Sequence, residues 1–191
     1  MERTGWQSRI HGVAPLVSIS FRRLRHSEIP LIHRWLHTPH VARWWYEDVG
    51  TLEEVEERYS AYIEGRENVE AYLIFHEESP IGYMQTYSIS IEEEYEKLVG
   101  VEGAAGLDLF IGEEEFLHRG LGSKIIRCFI EEVVFPDERY EACVIGPEPR
   151  NKSAIRAYEK VGFRHFKTVR VPGEPKPEYL MKLTREEFFG G

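Results

Sequence analysis

A glycine-rich turn between a strand and a helix is the part of this chain whose residue types most clearly suggest chemistry. It reads His118-Arg119-Gly120-Leu121-Gly122-Ser123-Lys124 and follows an apolar segment at 106–111. Glycines let backbone N–H groups converge at the positive end of a helix, where an anion is stabilised. We therefore predict a phosphate-binding turn, with a tight turn that serves only packing as the alternative. The candidate phosphate-binding residues are Arg119, Gly120, Leu121, Gly122, Ser123 and Lys124.

The spacing of this turn excludes two common nucleotide motifs. No Gly-Lys-Ser/Thr ending follows at the P-loop interval, and a third glycine is missing from the dinucleotide pattern. The residues after the turn are apolar at helical spacing, as in Ile125, Ile126, Phe129 and Ile130. The sequence therefore predicts a helix after the turn and a different phosphate-bearing cofactor.

Composition limits the class of protein. The chain has 191 residues, 42% apolar and 30% charged, which fits one globular domain. A net charge of −9 argues against nucleic acid as a partner, and no apolar run has the length that a membrane helix needs. Two cysteines without zinc-ligand spacing predict neither a disulfide framework nor a metal site.

The elements that must position the turn alternate between strands and helices. Residues 1–15 are polar, without the apolar core of a secretory signal, so we expect a flexible leader and a cytoplasmic protein. Residues 16–191 are expected to form one domain. Predicted strands are 17–25, 69–76, 81–91, 106–111, 140–145, 163–171 and 178–183; predicted helices are 27–36, 51–63, 121–134 and 151–161. The acidic, then Gly/Ala-rich stretch 92–105 predicts a flexible loop. This order indicates a mixed α/β sheet.

A second segment carries a specific resemblance to a known family. The sequence 151–163, an Asn-capped helix that carries Tyr158 and ends in Gly-Phe, resembles the second signature of the GNAT acetyltransferase superfamily. The glycine turn resembles that superfamily's pyrophosphate loop, except that Leu117 stands where Gln or Arg is usual. Segments 40–45, 80–87 and 106–108 are similar to the bacterial aminoglycoside 6′-N-acetyltransferases.

The resemblance implies a fold and a cosubstrate. The expected fold is a mixed, mostly antiparallel sheet of six to seven strands, splayed to admit acetyl-CoA and flanked by about four helices. Acetyl-CoA would pass its acetyl group directly to a primary amine of a small cationic substrate, such as the 6′-amine of an aminoglycoside. N-acylation of a siderophore-type hydroxylysine or of another small amine is the alternative, and a non-catalytic CoA-binding module is a third interpretation. The protein could be a monomer or a homodimer.

The resemblance also implies roles for single residues. Asp108, a carboxylate between two leucines, would be the base or substrate anchor, with a structural hydrogen bond as the alternative. Tyr158 would protonate the leaving thiolate, or else only pack in the core. Asn151 would bond the pantetheine arm if it is more than a helix cap. A backbone N–H near Phe110 or Ile111 would polarise the acetyl carbonyl.

The substrate-binding predictions rest on aromatic and acidic side chains that could hold a cationic sugar. The aromatic and amide candidates are Trp44, Trp45, Tyr83, Gln85 and Tyr87, which suit the apolar side of a sugar ring. For the tryptophans, core packing is the alternative. Glu94 represents the acidic cluster 92–96, which either faces the substrate or is merely solvated. Gly146 stands where the resembled family has an acidic residue, which predicts a missing ammonium contact.

Overall fold

Seven strands form one sheet in the computed structural model, which describes residues 18–45 and 49–190. The strands are β1 Ile19–Arg23, β2 Val69–His76, β3 Ser79–Ser88, β4 Ala104–Ile111, β5 Ala142–Ile145, β6 Arg164–Val169 and β7 Glu178–Thr184. Their order across the sheet is β1-β2-β3-β4-β5-β7-β6. Every neighbouring pair is antiparallel except β4 and β5, which are parallel. The predicted mostly antiparallel sheet of six to seven strands is confirmed.

Helices cover both faces of this sheet. They are α1 Ile29–Leu36, α2 Pro39–Ala42, α3 Leu52–Ile63, α4 Glu93–Val99, α5 Leu121–Phe129, α6 Lys152–Val161 and α7 Arg185–Gly190. Among the described residues, four of them (α1, α3, α5 and α6) have eight residues or more, in agreement with the predicted number. A π-helical turn, Ile130–Val134, extends α5.

Local sequence signals explain where two of these helices begin. The hydroxyl of Thr51 accepts a hydrogen bond from the backbone N–H of Glu54, and the Glu54 carboxylate accepts one from the Thr51 N–H at 2.7 Å. This reciprocal pair satisfies two N–H groups that the first turn of α3 leaves open. At α6, the Asn151 side chain accepts from the N–H of Ala154. Gly162 ends α6 with a φ of 118°, which favours glycine.

Two sequence predictions of secondary structure are wrong. Residues 92–105 are not one flexible loop, because they contain α4 and the start of β4. Val99 of α4 is buried in a small apolar cluster, and Gly100 ends the helix with a φ of 66°. The helix predicted from residue 27 instead starts at Ile29 after a 3₁₀ turn, His26–Glu28. The predicted leader lies outside the described residues, as does the first residue of the strand predicted over 17–25.

The sheet separates two apolar clusters, and one of them supports the glycine turn. Ile125 and Phe129 of α5 and Ile155 of α6 pack on one face. Trp35 of α1 and Tyr59 of α3 pack on the other face. Because these side chains are buried on both sides, the strands that carry the candidate site residues are held between rigid helices.

The parallel pair β4 and β5 separates part-way along its length. Their register runs only from Ala104, opposite Ala142, to Gly106, opposite Val144. β4 continues to Ile111, whereas β5 ends at Ile145. The second half of β4 therefore borders an opening in the sheet, which confirms the predicted splay. No helix in the described part of the chain is long and apolar enough to cross a membrane.

Candidate active site

The opening beside β4 leads into a cleft of about 590 Å³. One wall is the end of β4, from Leu109 to Ile111, and the other is α6, with Asn151, Ala157 and Tyr158. The glycine turn and the start of α5 close one end of the cleft, and the segment 40–45 closes another. A long, narrow ligand with a phosphate at one end fits this arrangement of walls.

The glycine turn has the backbone geometry that an anion site needs. Gly120 has a φ of 74°, and a Cβ placed on it would meet no atom within 4 Å, so its open side faces space rather than protein. His118 also has a positive φ, 57°. The N–H groups at the start of α5 then converge where the positive end of the helix dipole lies. These features fit a pyrophosphate group without any rearrangement of the turn.

Only some of the predicted phosphate-binding residues line the cleft. Gly120, Leu121, Gly122 and Ser123 line the cleft. Arg119 and Lys124 are exposed, and Arg119 lies over the ring of Phe116 at 5.6 Å from its centroid, so both flank the cleft rather than line it. Sequence reasoning missed three cationic side chains that do line it, Arg43, Arg156 and Lys160. Their positive charge favours phosphates.

Asn151 and Tyr158 present polar atoms from α6 to the same cleft. The Oδ1 of Asn151 accepts the capping bond from Ala154 at 3.2 Å, so its amide N–H groups are the part that a ligand could contact. Tyr158 is 8% exposed. Burial, and second the charge of Asp108, raise the pKa of the Tyr158 phenol well above its usual value. The phenol therefore stays protonated at neutral pH, as a proton donor must.

A second cavity of about 930 Å³ lies next to this cleft, between β3, β4, α3 and α4. Seven carboxylates line it, against two guanidinium groups, those of Arg58 and Arg66. The seven are Glu54, Glu57, Glu67, Glu92, Asp108, Glu174 and Glu178. A cavity with this excess of negative charge attracts a ligand with several positive charges.

Asp108 forms the centre of a hydrogen-bond network in this cavity. Gln85 donates from Nε2 to Oδ2 of Asp108 at 3.0 Å, and Tyr83 donates to Oε1 of Gln85 at 2.7 Å. Tyr87 lies beside Asp108, and burial followed by the charge of Asp108 raises the pKa of the Tyr87 phenol far above its usual value. The Tyr87 ring lies where a Cβ on Gly106 would be, at 2.4 Å, so glycine is required there.

The aromatic residues predicted to hold the substrate do not share one cavity. Gln85 and Tyr87 line the acidic cavity. Tyr83 is 0% exposed and supports Gln85 from the core. Trp44 and Trp45 instead line the first cleft, beside the end of β4, which is the candidate cofactor cleft. The Trp45 ring lies 5.1 Å from that of Phe110. The tryptophans therefore lie where they could contact the cofactor.

Glu94, which represents the predicted acidic cluster 92–96, does not line the acidic cavity. Glu94 is exposed on α4, whereas its neighbours Glu92 and Tyr95 line the cavity. Glu178, at the start of β7, was missed. No local pattern marks Glu178, because its position depends on the pairing of β5 with β7, strands that are far apart in sequence.

The two cavities define a class of protein. One can hold an elongated phosphate-bearing cofactor, the other can hold a polycation, and both border β4. Within the described residues, no group of three His, Cys, Asp or Glu side chains could hold a metal ion. This fold and this pair of cavities fit a transferase that moves a group from a phosphate-bearing cofactor to a cationic acceptor.

Comparisons with known proteins identify the family. The family described as "Acetyltransferase (GNAT) domain" matches residues 25–171. The aminoglycoside N(6′)-acetyltransferase type 1 of Klebsiella pneumoniae is 30% identical over 174 residues, which cover 90% of this chain and 85% of that protein. A kanamycin resistance protein of Rhizobium radiobacter is 36% identical over 86 residues, 45% of this chain and 77% of that protein.

The comparison with solved structures indicates the same family. A crystal structure of aminoglycoside acetyltransferase AAC(6′)-Ib with coenzyme A and kanamycin has a TM-score of 0.81 and 30% identity, covering 91% of this chain and 98% of that one. The chain therefore belongs to the GNAT acetyltransferase family.

Proposed function

We propose that this protein transfers the acetyl group of acetyl-CoA to the 6′-amine of an aminoglycoside. The observation that carries the proposal is the position of Asp108 on β4. Asp108 lines the acidic cavity, and the residues that follow it, Leu109 to Ile111, line the cofactor cleft. An amine held at Asp108 therefore lies beside the place where an acetyl group would be presented.

The acidic cavity supports this choice of substrate by its charge and size. Aminoglycosides are sugars with several ammonium groups, and the cavity has about 930 Å³ and a large excess of carboxylates. The relatives are named for aminoglycoside acetylation, and a solved neighbour contains kanamycin. The carboxylate of a siderophore-type acceptor would be repelled by the same lining, which weakens binding of such an acceptor relative to a polycation.

Asp108 is the proposed base. An amine must lose a proton before it can attack a thioester, and a carboxylate within hydrogen-bond reach can take that proton. Gln85 donates a hydrogen bond to Asp108 and holds its carboxylate in one orientation.

Residues on both walls of the cleft complete the proposed reaction. Acetyl-CoA supplies an activated acetyl thioester. Beyond Gly106, the edge of β4 is not paired with β5, and a backbone N–H near Phe110 or Ile111 would polarise the acetyl carbonyl. Tyr158 would give its proton to the departing sulfur. The ammonium loses two protons on becoming an amide. Both would leave through Asp108 to water, while Tyr158 would give one proton to the sulfur and regain one from water, so that each turnover releases one proton.

The test uses two aminoglycosides that differ only in an amine or a hydroxyl at the 6′ carbon. Purified protein is incubated with acetyl-CoA and each compound, release of the CoA thiol is followed, and the acetylated position is identified by NMR. We expect rapid turnover of the 6′-amine alone, with the acetyl group on N6′. Turnover only of hydroxylysine or of simple amines would overturn the proposed substrate.

The proposal has two corollaries for the whole chain. Residues 16–191 would act as one acetyltransferase domain. Because acetyl-CoA is made and used inside the cell, the proposal places the activity in the cytoplasm. Fractionation of cells followed by the thiol-release assay would test that location.

A further inference from the structure

Glu178 is a carboxylate in the acidic cavity that the proposed reaction does not use. It lies at the start of β7, and its Oε2 accepts a hydrogen bond from the Tyr95 hydroxyl at 2.9 Å. Among residues 18–45 and 49–190, no Lys, Arg or His forms an ion pair with it. Partial burial of a carboxylate without a cation costs free energy, which an incoming cation would offset.

Gly146 makes room for this carboxylate. A Cβ at position 146 would lie 2.6 Å from Oε2 of Glu178 and 3.1 Å from its Cδ. The space beside the end of β5 is therefore filled from β7, by the Glu178 side chain. Glu178 can therefore contact an ammonium group that a glycine at position 146 cannot contact.

The groups around Glu178 are negative or neutral. Tyr95 faces it from α4, Asp108 from β4, and Glu174 from the loop before β7. Burial is the main reason that the pKa of Glu178 rises to about 7, and the charges of Asp108 and Glu174 add to it, while the bond from Tyr95 opposes it. A cation that binds here would gain from two further carboxylates and would lower that pKa.

We propose that Glu178 binds a second ammonium group of the acceptor, distant from the amine that receives the acetyl group, and so selects acceptors that carry more than one positive charge. This inference rests on the proposed function and names a specificity residue of the same site. Tyr95 is the positioning residue, because its hydroxyl fixes the orientation of the carboxylate.

The test compares Glu178→Gln with the wild type on two pairs of acceptors. The first pair is kanamycin and 6-amino-6-deoxyglucose, which has only the reacting amine; the second is 1,4-diaminobutane and butylamine. We expect Glu178→Gln to lower kcat/KM for the polyamine of each pair at least tenfold, through KM, and to leave the monoamine within twofold. Glu186→Gln, at an exposed site on α7, is the control and should change neither.

The ratio of kcat/KM values within a pair also gives a pH signature. The ionisation of the reacting amine affects both members of the alkylamine pair, so it largely cancels in their ratio, and the second amine of 1,4-diaminobutane stays protonated below about pH 9. In the wild type, preference for the polyamine should increase as pH rises through about 7, where Glu178 becomes charged. In Glu178→Gln the preference should be flat.

Two variants test whether the preference depends on the position of the carboxylate or only on its presence in the cavity. Gly146→Ala should displace the flexible end of Glu178 and raise KM for kanamycin with kcat retained. Gly146→Asp combined with Glu178→Ala moves a carboxylate to the neighbouring strand and should restore part of the preference. Equal losses for monoamine and polyamine in Glu178→Gln, or no loss for either, would overturn the inference.

The outcomes separate the inference from the proposed function. If kanamycin is acetylated at N6′ but Glu178→Gln keeps the polyamine preference, the inference fails and the function stands. If kanamycin is not a substrate but the diamine pair shows the effect, the function fails and the inference stands. If no amine is acetylated, both fail.

Discussion

Gln85 and Asp108 lie directly opposite each other on β3 and β4, and a side-chain hydrogen bond of 3.0 Å joins them. Because the register of the two strands sets this pairing, the orientation of Asp108 depends on the core of the sheet and not on a loop. Tyr83, two residues from Gln85 and fully buried, extends the network into the core. The proposed base is therefore oriented before an acceptor arrives.

Replacement of Asp108 should remove the base and spare the cofactor site. In Asp108→Asn we expect kcat/KM for the acceptor to fall by about 10²- to 10⁴-fold, the range that general-base catalysis contributes. Acetyl-CoA affinity, measured by calorimetry, should stay within twofold, because Asp108 does not line the cofactor cleft. Activity within tenfold of the wild type would contradict the role of Asp108.

Tyr158→Phe tests the proton donor while retaining most of the ring packing. The ring is buried beside Phe163, with centroids 6.1 Å apart, so the variant should keep its melting temperature. We expect kcat to fall about 10²-fold, as for loss of a general acid, with KM for acetyl-CoA unchanged. Because burial raises the pKa of Tyr158, no loss of wild-type activity from its ionisation should occur below about pH 10. An unchanged kcat would show that Tyr158 only packs.

Gly120→Ala tests the phosphate-binding turn, and Gly65→Ala is its matched control. Both glycines have a left-handed φ, 74° and 70°, and a Cβ at either would meet no atom within 4 Å. Each substitution should therefore cost about 1–2 kcal/mol of stability through backbone strain. Only Gly120→Ala should also raise KM for acetyl-CoA, about tenfold, since its new methyl group enters the cleft. A similar KM for both variants would argue against the turn as a phosphate site.

Local signals were sufficient to predict much of the fold and the helix ends that border the candidate cofactor cleft. The glycine turn, the Asn151 cap and Gly162 are each encoded within a few neighbouring residues, and the structure has a helix start or end at each. Asp108 could be singled out because a carboxylate between two leucines on a strand is unusual. These features depend on spacing along the chain and so can be seen in one sequence.

The acceptor half depends on contacts between distant segments, which spacing does not reveal. Glu178 faces Gly146 only because β7 pairs with β5, a pairing with no local signature. The helix α4 was missed because a run of acidic residues, followed by glycine and alanine, is also typical of loops. Trp44 and Trp45 were placed with the substrate because adjacent tryptophans suit a sugar, but their segment lies against the end of β4, where His40 bonds the carbonyl of Ile111 at 3.1 Å.

Trp44→Ala distinguishes between the two positions considered for the tryptophans. Trp44 lines the cofactor cleft, with the guanidinium of Arg43 at 4.8 Å and that of Arg150 at 5.8 Å from its ring centroid. We expect KM for acetyl-CoA to rise several-fold, because the variant removes a ring that lines the cleft and its contacts with two guanidinium groups. Cation–π contacts of this kind are worth about 0.5–1 kcal/mol at exposed sites. KM for the acceptor should be unchanged. A larger effect on the acceptor would favour the substrate position predicted from sequence.

Glu178 should also make the stability of the protein depend on pH in a direction opposite to that of most carboxylates. Its pKa is about 7 in the folded state, against an ordinary value of 4.5. Between those values the folded state holds a proton that the unfolded state has released, so the free energy of unfolding falls as pH rises. Below about pH 4.5 the effect vanishes, and above about pH 7 the full cost is present.

Glu178→Gln should therefore match the wild type in its free energy of unfolding below about pH 4 and exceed it by about 2 kcal/mol near pH 8, since each unit of pKa shift corresponds to about 1.4 kcal/mol and partial exposure reduces the total. Urea unfolding at intervals between these two pH values would measure the difference, with Glu186→Gln as the control that should show no pH-dependent gain. Added kanamycin should narrow the difference at pH 8, because the wild-type carboxylate then has a cation beside it and a tenfold tighter complex adds about 1.4 kcal/mol of stability. A constant difference at every pH would mean that the Glu178 carboxylate is not held in the folded state at a raised pKa.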